Sequence, residues 1–398
     1  KSEFNVVVIT PLPEYAPLKK ALGKDVQIEK LQSHKFSNLE KLFIAIGKSL
    51  IYNDTTYLKS RYGYQYQSED TFLESIKFWS VYVIFGLFLS KFLYLRKFWR
   101  QLDKKFFNSD HYNDLFKMYD ISVVFVTNIH QYHEAYFAKA AKKRGIPVIG
   151  MTKSWDNFSK DFFRVKVDRL ITWNEYMAYE AQKFQGYKEN DIRIVGIPQF
   201  DIYEGEKKHQ EHIDFCQTYG LDKDKKTILL GQASKDFSPD DPGVVKILRD
   251  WIKNEGKPYQ ILVRPNFAYK DSIQAFEGLI DNEVVFIDLK NAPSSFKDGW
   301  DLSPEQHRRL MLSVKYSDVV ITTGSTLILD SLAAGNEVIV YKFDLSEVPY
   351  KNSTKRFFDS LWLKELKKQG MSEFTVETPE QMILRLNGVL CGDVKISA

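Results

Sequence analysis

The stretch Asp318–Tyr341, DVVITTGSTLILDSLAAGNEVIVY, decides how the chain is read. An apolar run, Val319-Val320-Ile321, stops at five small or hydroxylated residues, Thr322-Thr323-Gly324-Ser325-Thr326. A helix-like segment follows, then Gly335, then a second β-rich run. Buried strands alternating with helices signal a parallel α/β sheet, and in open sheets of that kind ligands collect outside the carboxyl ends of the strands. The hydroxyl-rich turn therefore stands where a ligand is expected. Gly324 permits a tight turn and close backbone approach, while Ser325 and Thr326 offer N–H and hydroxyl donors to an anion at a helix start. An ordinary Ser/Thr helix cap accounts for the same residues without a ligand.

The alternation runs along the chain. Strands are predicted at Asn5–Thr10, Ser122–Thr127, Pro147–Met151, Arg169–Thr172 and Arg193–Val195. In the second half they are predicted at Thr227–Gly231, Gln260–Val263, Val284–Ile287, Val319–Thr322 and Glu337–Tyr341. Helix-like segments separate many of them: His133–Arg144, Glu175–Phe184, Gly243–Glu255 and Pro304–Tyr316, with a last one at Lys355–Gln369. Charged stretches, EGEKKHQEH and DKDKK, lie between Pro198 and Lys226, before a fresh strand. The expectation is an α/β protein of two Rossmann-like domains facing a cleft, residues 1–200 and 201–398. At 398 residues the chain suits two such cores better than one.

Composition narrows the function classes. A net charge of +4 is mild, and neither paired Cys/His fingers nor an aromatic RNA-binding strand is present, so nucleic acid is not an expected partner. Two cysteines, Cys216 and Cys391, exclude a disulfide framework and a Cys-rich zinc site, and suit a reducing, cytoplasmic compartment. The opening KSEFNVVVIT lacks an initiating Met and reads as a strand rather than a signal peptide. Aromatic residues make up 15% of the chain, and much of that excess falls in one segment considered below.

Two other strand ends in the second half match the hydroxyl-rich turn. TILLGQASKDF finishes in Gln232, Ser234 and Lys235, and ILVRPNFAYKD in Arg264, Pro265 and Asn266. Arg264 offers a fork that fits phosphate oxygens bidentately, and Lys235 adds a point charge. Asp330, five residues after Ser325, can accept from ribose hydroxyls or sit exposed. In the first half, His130 and His133 follow a strand end at i, i+3 spacing. With no third ligand in view, a general base for an acceptor hydroxyl is a better reading than a metal site. The run Trp155-Asp156-Asn157 sets a flat apolar ring beside polar groups, a way to hold a sugar ring; Trp155 as plain core is the alternative.

These residues carry a resemblance. The segment SDVVITTGSTLILDSLAAGNEVIVY resembles the nucleotide-binding strand-turn-helix of GT-B glycosyltransferases. It implies that Gly324, Ser325 and Thr326 hold the donor diphosphate and Asp330 the ribose, although many of those enzymes carry Glu at the last place. RPN departs from the HP of related surface-polysaccharide enzymes. The segments GIPVIGMTKSWDNFSKD, DRLITWNEYMAYEA and IRIVGIPQFD are similar to cytoplasmic enzymes of surface-carbohydrate assembly, the CDP-glycerol glycerophosphotransferase group among them.

The resemblance implies a nucleotide-sugar donor as substrate, no further cofactor, and a glycan or lipid-linked acceptor. His133, Asp156 and His130 would be catalytic, Trp155 and Asn157 acceptor-binding. Ser234, Lys235 and Arg264 would join the donor site. DKD at Asp222–Asp224 lies in a Lys-rich turn and is no convincing metal motif, so metal independence is expected. A CDP-polyol phosphotransferase, a UDP-sugar 2-epimerase and a non-catalytic membrane-associated scaffold are the alternatives.

The aromatic segment Ser75–Phe107 contains an uncharged run of only 13 residues, Phe78–Ser90, short of the ~20 needed to span a bilayer. Lys91, Arg96, Lys97, Arg100, Lys104 and Lys105 follow, interleaved with Phe, Tyr and Trp. An interfacial helix on an anionic leaflet at the inner face of the cell membrane has this composition; so does a buried helix hairpin with one solvated face.

Overall fold

The structure is a computed structural model that describes residues 5–11, 13, 16–23, 26–31, 34–62, 83–107, 112–233, 237–266, 271–288 and 304–393. Ser234 and Lys235, and residues 75–82 of the aromatic segment, lie outside the described residues. The chain divides into two compact units. The first holds Lys1–Arg61 and Glu69–Pro198, the second Tyr62–Ser68 and Gln199–Ala398.

The second unit is built on six parallel strands: β7 (Lys226–Gly231), β8 (Tyr259–Arg264), β9 (Val285–Ile287), β10 (Val319–Thr322), β11 (Glu337–Tyr341) and β12 (Thr375–Val376). Their spatial order is β12-β11-β10-β7-β8-β9. Counted from β7 as the first strand, this is the 3-2-1-4-5-6 order of a Rossmann sheet, and the order reverses between β7 and β10. Ile228, Leu229, Leu230, Val319, Val320, Ile321, Val338, Ile339 and Val340 are fully buried. Strands covered on both faces need such unbroken apolar runs, which is why the sequence announced them.

The first unit has two smaller parallel sheets among its described residues. One is β1 (Val7–Thr10) with β2 (Gln27–Lys30); the other is β3 (Val124–Val126), β4 (Val148–Gly150), β5 (Arg169–Thr172) and β6 (Ile192–Ile194), in that order. Strand order within the four-stranded sheet simply follows the chain, with no reversal.

Two expectations are corrected. The segment Lys355–Gln369 is not one helix: a 3-10 run, Thr354–Asp359, gives way to the helix Leu361–Lys368. Ser360 between them is extended, and its hydroxyl donates to the Phe357 carbonyl at 2.7 Å, turning the chain. The second correction concerns the cations after the aromatic run, which do not all face outward. Arg96, on the helix Leu93–Phe106, is buried and donates to the carbonyls of Leu50, Ser90, Lys183 and Phe184. Arg100 donates to the Phe163 carbonyl and to Gln185. Burial pulls both guanidinium groups down to about 10, so both stay charged at neutral pH while anchoring the helix.

Candidate functional site

In the second unit, the turn after β10 meets the end of β7 at the strand-order reversal. Most of its hydroxyls are already engaged. Thr322 Oγ1 donates to the Gly231 carbonyl at 2.9 Å and lies 2.9 Å from Ser325 Oγ. Thr323 Oγ1 donates to the Tyr341 carbonyl at 3.1 Å. Together these bonds tie the end of β10 to β7 on one side and β11 on the other. Ser325 Oγ accepts the Leu327 N–H at 3.3 Å, a local turn bond just before the helix Leu327–Ala333.

Gly324 also has a packing reason. A Cβ there would come within 2.8 Å of Leu363 Cδ1, so the missing side chain makes room for the unit's own core. Gly231 does the same for Leu327, whose Cδ2 would sit 2.0 Å from an added Cβ. What the turn leaves open is the exposed Thr326 and the N–H groups of Gly324 and Thr326, which have no acceptor among the described residues.

Arg264, at the end of β8, is not a bare cation. Its Nη1 donates to Asp288 Oδ2 at 2.7 Å, and Asp288 is fully buried just past β9. Tyr219 also reaches Asp288, at 3.4 Å. Asp330 accepts from the Tyr203 hydroxyl at 2.7 Å, so it is neither exposed nor empty-handed. Burial raises the Asp330 carboxyl above its ordinary range, against the downward pull of Tyr203, Arg264 and His307. The same contact and burial push the Tyr203 phenol upward. Gln232 and Asn266 stitch the ends of β7 and β8: Asn266 N–H donates to Gln232 Oε1 at 3.1 Å, and Asn266 Nδ2 donates to the Ala233 carbonyl. The structure thus gathers Thr326, Arg264 and Asp330 around the β7/β10 ends. It adds Asp288, Tyr203 and His307, which sequence reasoning missed. Asp288 had a signal, a carboxylate at a strand end; Tyr203 had none.

In the first unit, His130 lies in the turn before the helix Tyr132–Lys143, with Nε2 3.6 Å from Asp161 Oδ2. Burial lowers its pKa, the lysines Lys59 and Lys160 add to that, and Asp161 opposes it. The imidazole is therefore neutral at pH 7, the form a base needs. His133, on the helix itself, keeps a buried Nδ1 with no partner among the described residues. Asp156 is held by Lys160 at 3.2 Å and by Asn157 Nδ2 at 3.3 Å. Asn157 accepts the Ser154 N–H at 3.0 Å, bracing the loop before the short helix Asn157–Lys160. Trp155 is 8% exposed, so little of its ring is open to a ligand. Among the described residues no cluster of three His, Cys, Asp or Glu side chains is placed to hold a metal ion.

Behind His130 lies a buried ionic network. Arg164 donates to Asp103 at 2.5 Å and to Glu40 at 2.7 Å, Lys139 pairs with Asp103, and His34 meets Glu40 at 2.8 Å. Arg164 also lines, with His130, Tyr132 and Asp161, a narrow space against Trp99 and Phe162.

No protein-family model matches the sequence, and no curated protein matches it. Among solved structures, the chain is similar to a glycosyltransferase from Rickettsia africae ESF-5, at 10% identity and a TM-score of 0.47, over 97% of this chain and 79% of that one. It is similar to the UDP-GlcNAc 2-epimerase of Methanocaldococcus jannaschii, at 13% identity and 0.47, over 96% and 91%. It is also similar to E. coli ADP-heptose lps heptosyltransferase II, at 12% identity and 0.37, over 75% and 81%. Scores this low carry no activity across; what stands is the α/β architecture with parallel sheets described above.

Proposed function

We propose that this chain is a glycosyltransferase that moves a sugar from a nucleotide-activated donor to a glycan or lipid-linked acceptor in surface-polysaccharide assembly. The observation that carries the reading is topological. The strand-order reversal of the second unit coincides with the Thr322–Thr326 turn, and Arg264 and Asp330 stand beside it. The open N–H groups of Gly324 and Thr326, with Thr326 Oγ1 and Arg264, supply donors for a diphosphate. Arg264 would then stabilise the charge that builds on the leaving diphosphate, and Asp330 would turn from Tyr203 toward ribose. Lys235 and Ser234 remain assigned to the same site by sequence. In the first unit His130 is the favoured base, because its neutral state and its contact with Asp161 suit proton removal. His133 and Asp156 are second choices, with Trp155 and Asn157 shaping the acceptor side.

The test is a thermal-shift and calorimetric titration with UDP, GDP, CDP, CMP and dTDP, on the wild type and on Arg264→Gln. Stabilisation by one diphosphate, weakened about tenfold or more in the variant, is expected. No response to any nucleotide would overturn the reading. A response confined to CDP and CMP would move it to polyol-phosphate transfer, and conversion of a UDP-sugar with no acceptor present would make it an epimerase.

The chain's place is proposed at the cytoplasmic face of the membrane, on an anionic lipid surface. Among the described residues no helix is long and apolar enough to cross a membrane. Ile84, Leu87, Phe88, Leu93, Tyr94 and Phe98 are exposed together with Lys91, Lys97, Lys104 and Lys105. The single acid of the helix Leu93–Phe106, Asp103, is buried, so no carboxylate on that helix opposes an anionic surface. Co-sedimentation with phosphatidylserine liposomes at low salt, lost in a Phe88→Ser, Phe98→Ser double variant, is expected; a wild type that stays in the supernatant would sink the proposal.

A further inference from the structure

The carboxylate assigned to ribose is shared with a phenol that comes from far along the chain. Tyr203 closes the 3-10 segment Pro198–Tyr203, and its hydroxyl donates to Asp330 Oδ1 at 2.7 Å. The Tyr203 ring is 5% exposed and meets Phe200 edge-on at 5.9 Å, with Phe200 packed against the core of the second unit. A phenol this deep meets little water and needs a partner within the protein. Among the described residues Asp330 is the acceptor that satisfies it.

Asp330 is placed differently. It is only half-buried, and its N–H reaches the carbonyl of the exposed Thr326 at 3.4 Å. Residues four apart share a helix face, so the carboxylate lies about one 5.4 Å turn beyond Thr326, on the same side. Oδ2 takes no hydrogen bond from another described residue. Arg264 and His307 are near enough to draw on the carboxylate, and Arg264 on the Tyr203 phenol as well. The pair therefore stands at the site and not behind it.

Ribose presents two adjacent hydroxyls, and a carboxylate with both oxygens available accepts one on each. Tyr203 holds one of those oxygens. A hydrogen bond to an ionised acceptor is a strong one and spends part of its negative charge, so a ribose hydroxyl meets a weaker carboxylate while the phenol stays. We infer that Tyr203 is a specificity-determining residue of the donor site, a competitor that the 2′,3′-diol of a ribonucleotide displaces from Asp330. A 2′-deoxyribose has a single hydroxyl there, needs only Oδ2 and leaves Tyr203 in place. The phenol keeps Asp330 paired while the site is empty, and it holds down the advantage of ribonucleotides over their deoxy forms. This rests on reading the second unit as the donor side.

The test is isothermal titration of the full chain with UDP, CDP and GDP and with their 2′-deoxy counterparts, at pH 8 to hold Asp330 ionised. Tyr203→Phe keeps the ring and its packing and removes the competing proton. Its preference for the ribonucleotide over the deoxy form should rise about tenfold, through tighter binding of the ribonucleotide. Asp330→Asn should bring that preference close to one, and adding Tyr203→Phe to it should change nothing further. A merely structural tyrosine would weaken both nucleotide forms alike in Tyr203→Phe, and one that orients Asp330 for ribose would lower the preference; either result overturns the inference. So does an unchanged preference. Should the wild type bind none of these nucleotides, the donor reading itself falls; binding with no effect of Tyr203→Phe removes the role of Tyr203 alone.

Discussion

The two units frame their candidate sites by opposite means. In the second, six parallel strands with unbroken apolar cores reverse their order once, and the candidate site falls at that reversal. Backbone topology positions the residues, and the polar bonds there mainly tie strand ends together. In the first, the four-stranded sheet has no reversal, and its candidate site is framed by charged side chains instead. Arg164, Asp103, Glu40 and Lys139 are all buried, and they draw the helices Asn38–Lys48, Leu93–Phe106 and Tyr132–Lys143 onto the loop before β5. A topological site depends first on packing. An ionic one depends on protonation.

Removing Arg164 should expose that difference most strongly. Arg164→Ala takes the guanidinium from two buried carboxylates, leaving Asp103 to Lys139 and Glu40 to His34, at a cost of roughly 3–5 kcal/mol near pH 7. The penalty should shrink in acid, where protonation offsets the missing positive charge. A truncation of the other core, Ile321→Ala, should cost about 2–5 kcal/mol at either pH. Urea melts of both variants at pH 7 and pH 5 check this; equal pH dependence would erase the distinction.

A smaller effect of opposite sign is expected at Glu180, on the helix Glu175–Gln185. Burial pushes its carboxyl up to about 7, against the Ser159 and Tyr176 hydroxyls. The folded state therefore binds the proton more tightly than the unfolded chain. Its contribution is fully present below about pH 4.5 and is lost as pH rises through 7. Glu180→Gln should flatten that fall and gain up to about 3 kcal/mol at pH 8. Thermal melts from pH 5 to pH 8 would show it; a variant with the wild-type pH slope would remove Glu180 as the cause.

Legibility followed the same division. The strands Arg169–Thr172, Val319–Thr322 and Glu337–Tyr341 and the helix Pro304–Tyr316 are found where the sequence placed them, because continuous apolar runs and helical periodicity are local signals. β2 and β12 escaped notice, being four and two residues long and partly polar. At the site, the strand-end residues were legible but their partners were not. Nothing local reveals that Thr322 and Thr323 spend their hydroxyls on the Gly231 and Tyr341 carbonyls. Arg264 looked free because Asp288 reaches it only through the pairing of β8 with β9. Arg96 and Arg100 looked like membrane cations because the carbonyls they serve come from segments far along the chain.

The Arg164 network has a consequence for how such a sequence can drift. Four charges at positions 40, 103, 139 and 164 lie on separate segments yet satisfy one another. Every replacement among them unbalances the buried set, and replacing Asp103 leaves Lys139 without its carboxylate in a place water barely reaches. Descendants of this chain should keep all four or exchange them as a set, so these positions should vary together while the strand cores of the second unit trade Val, Ile and Leu one at a time.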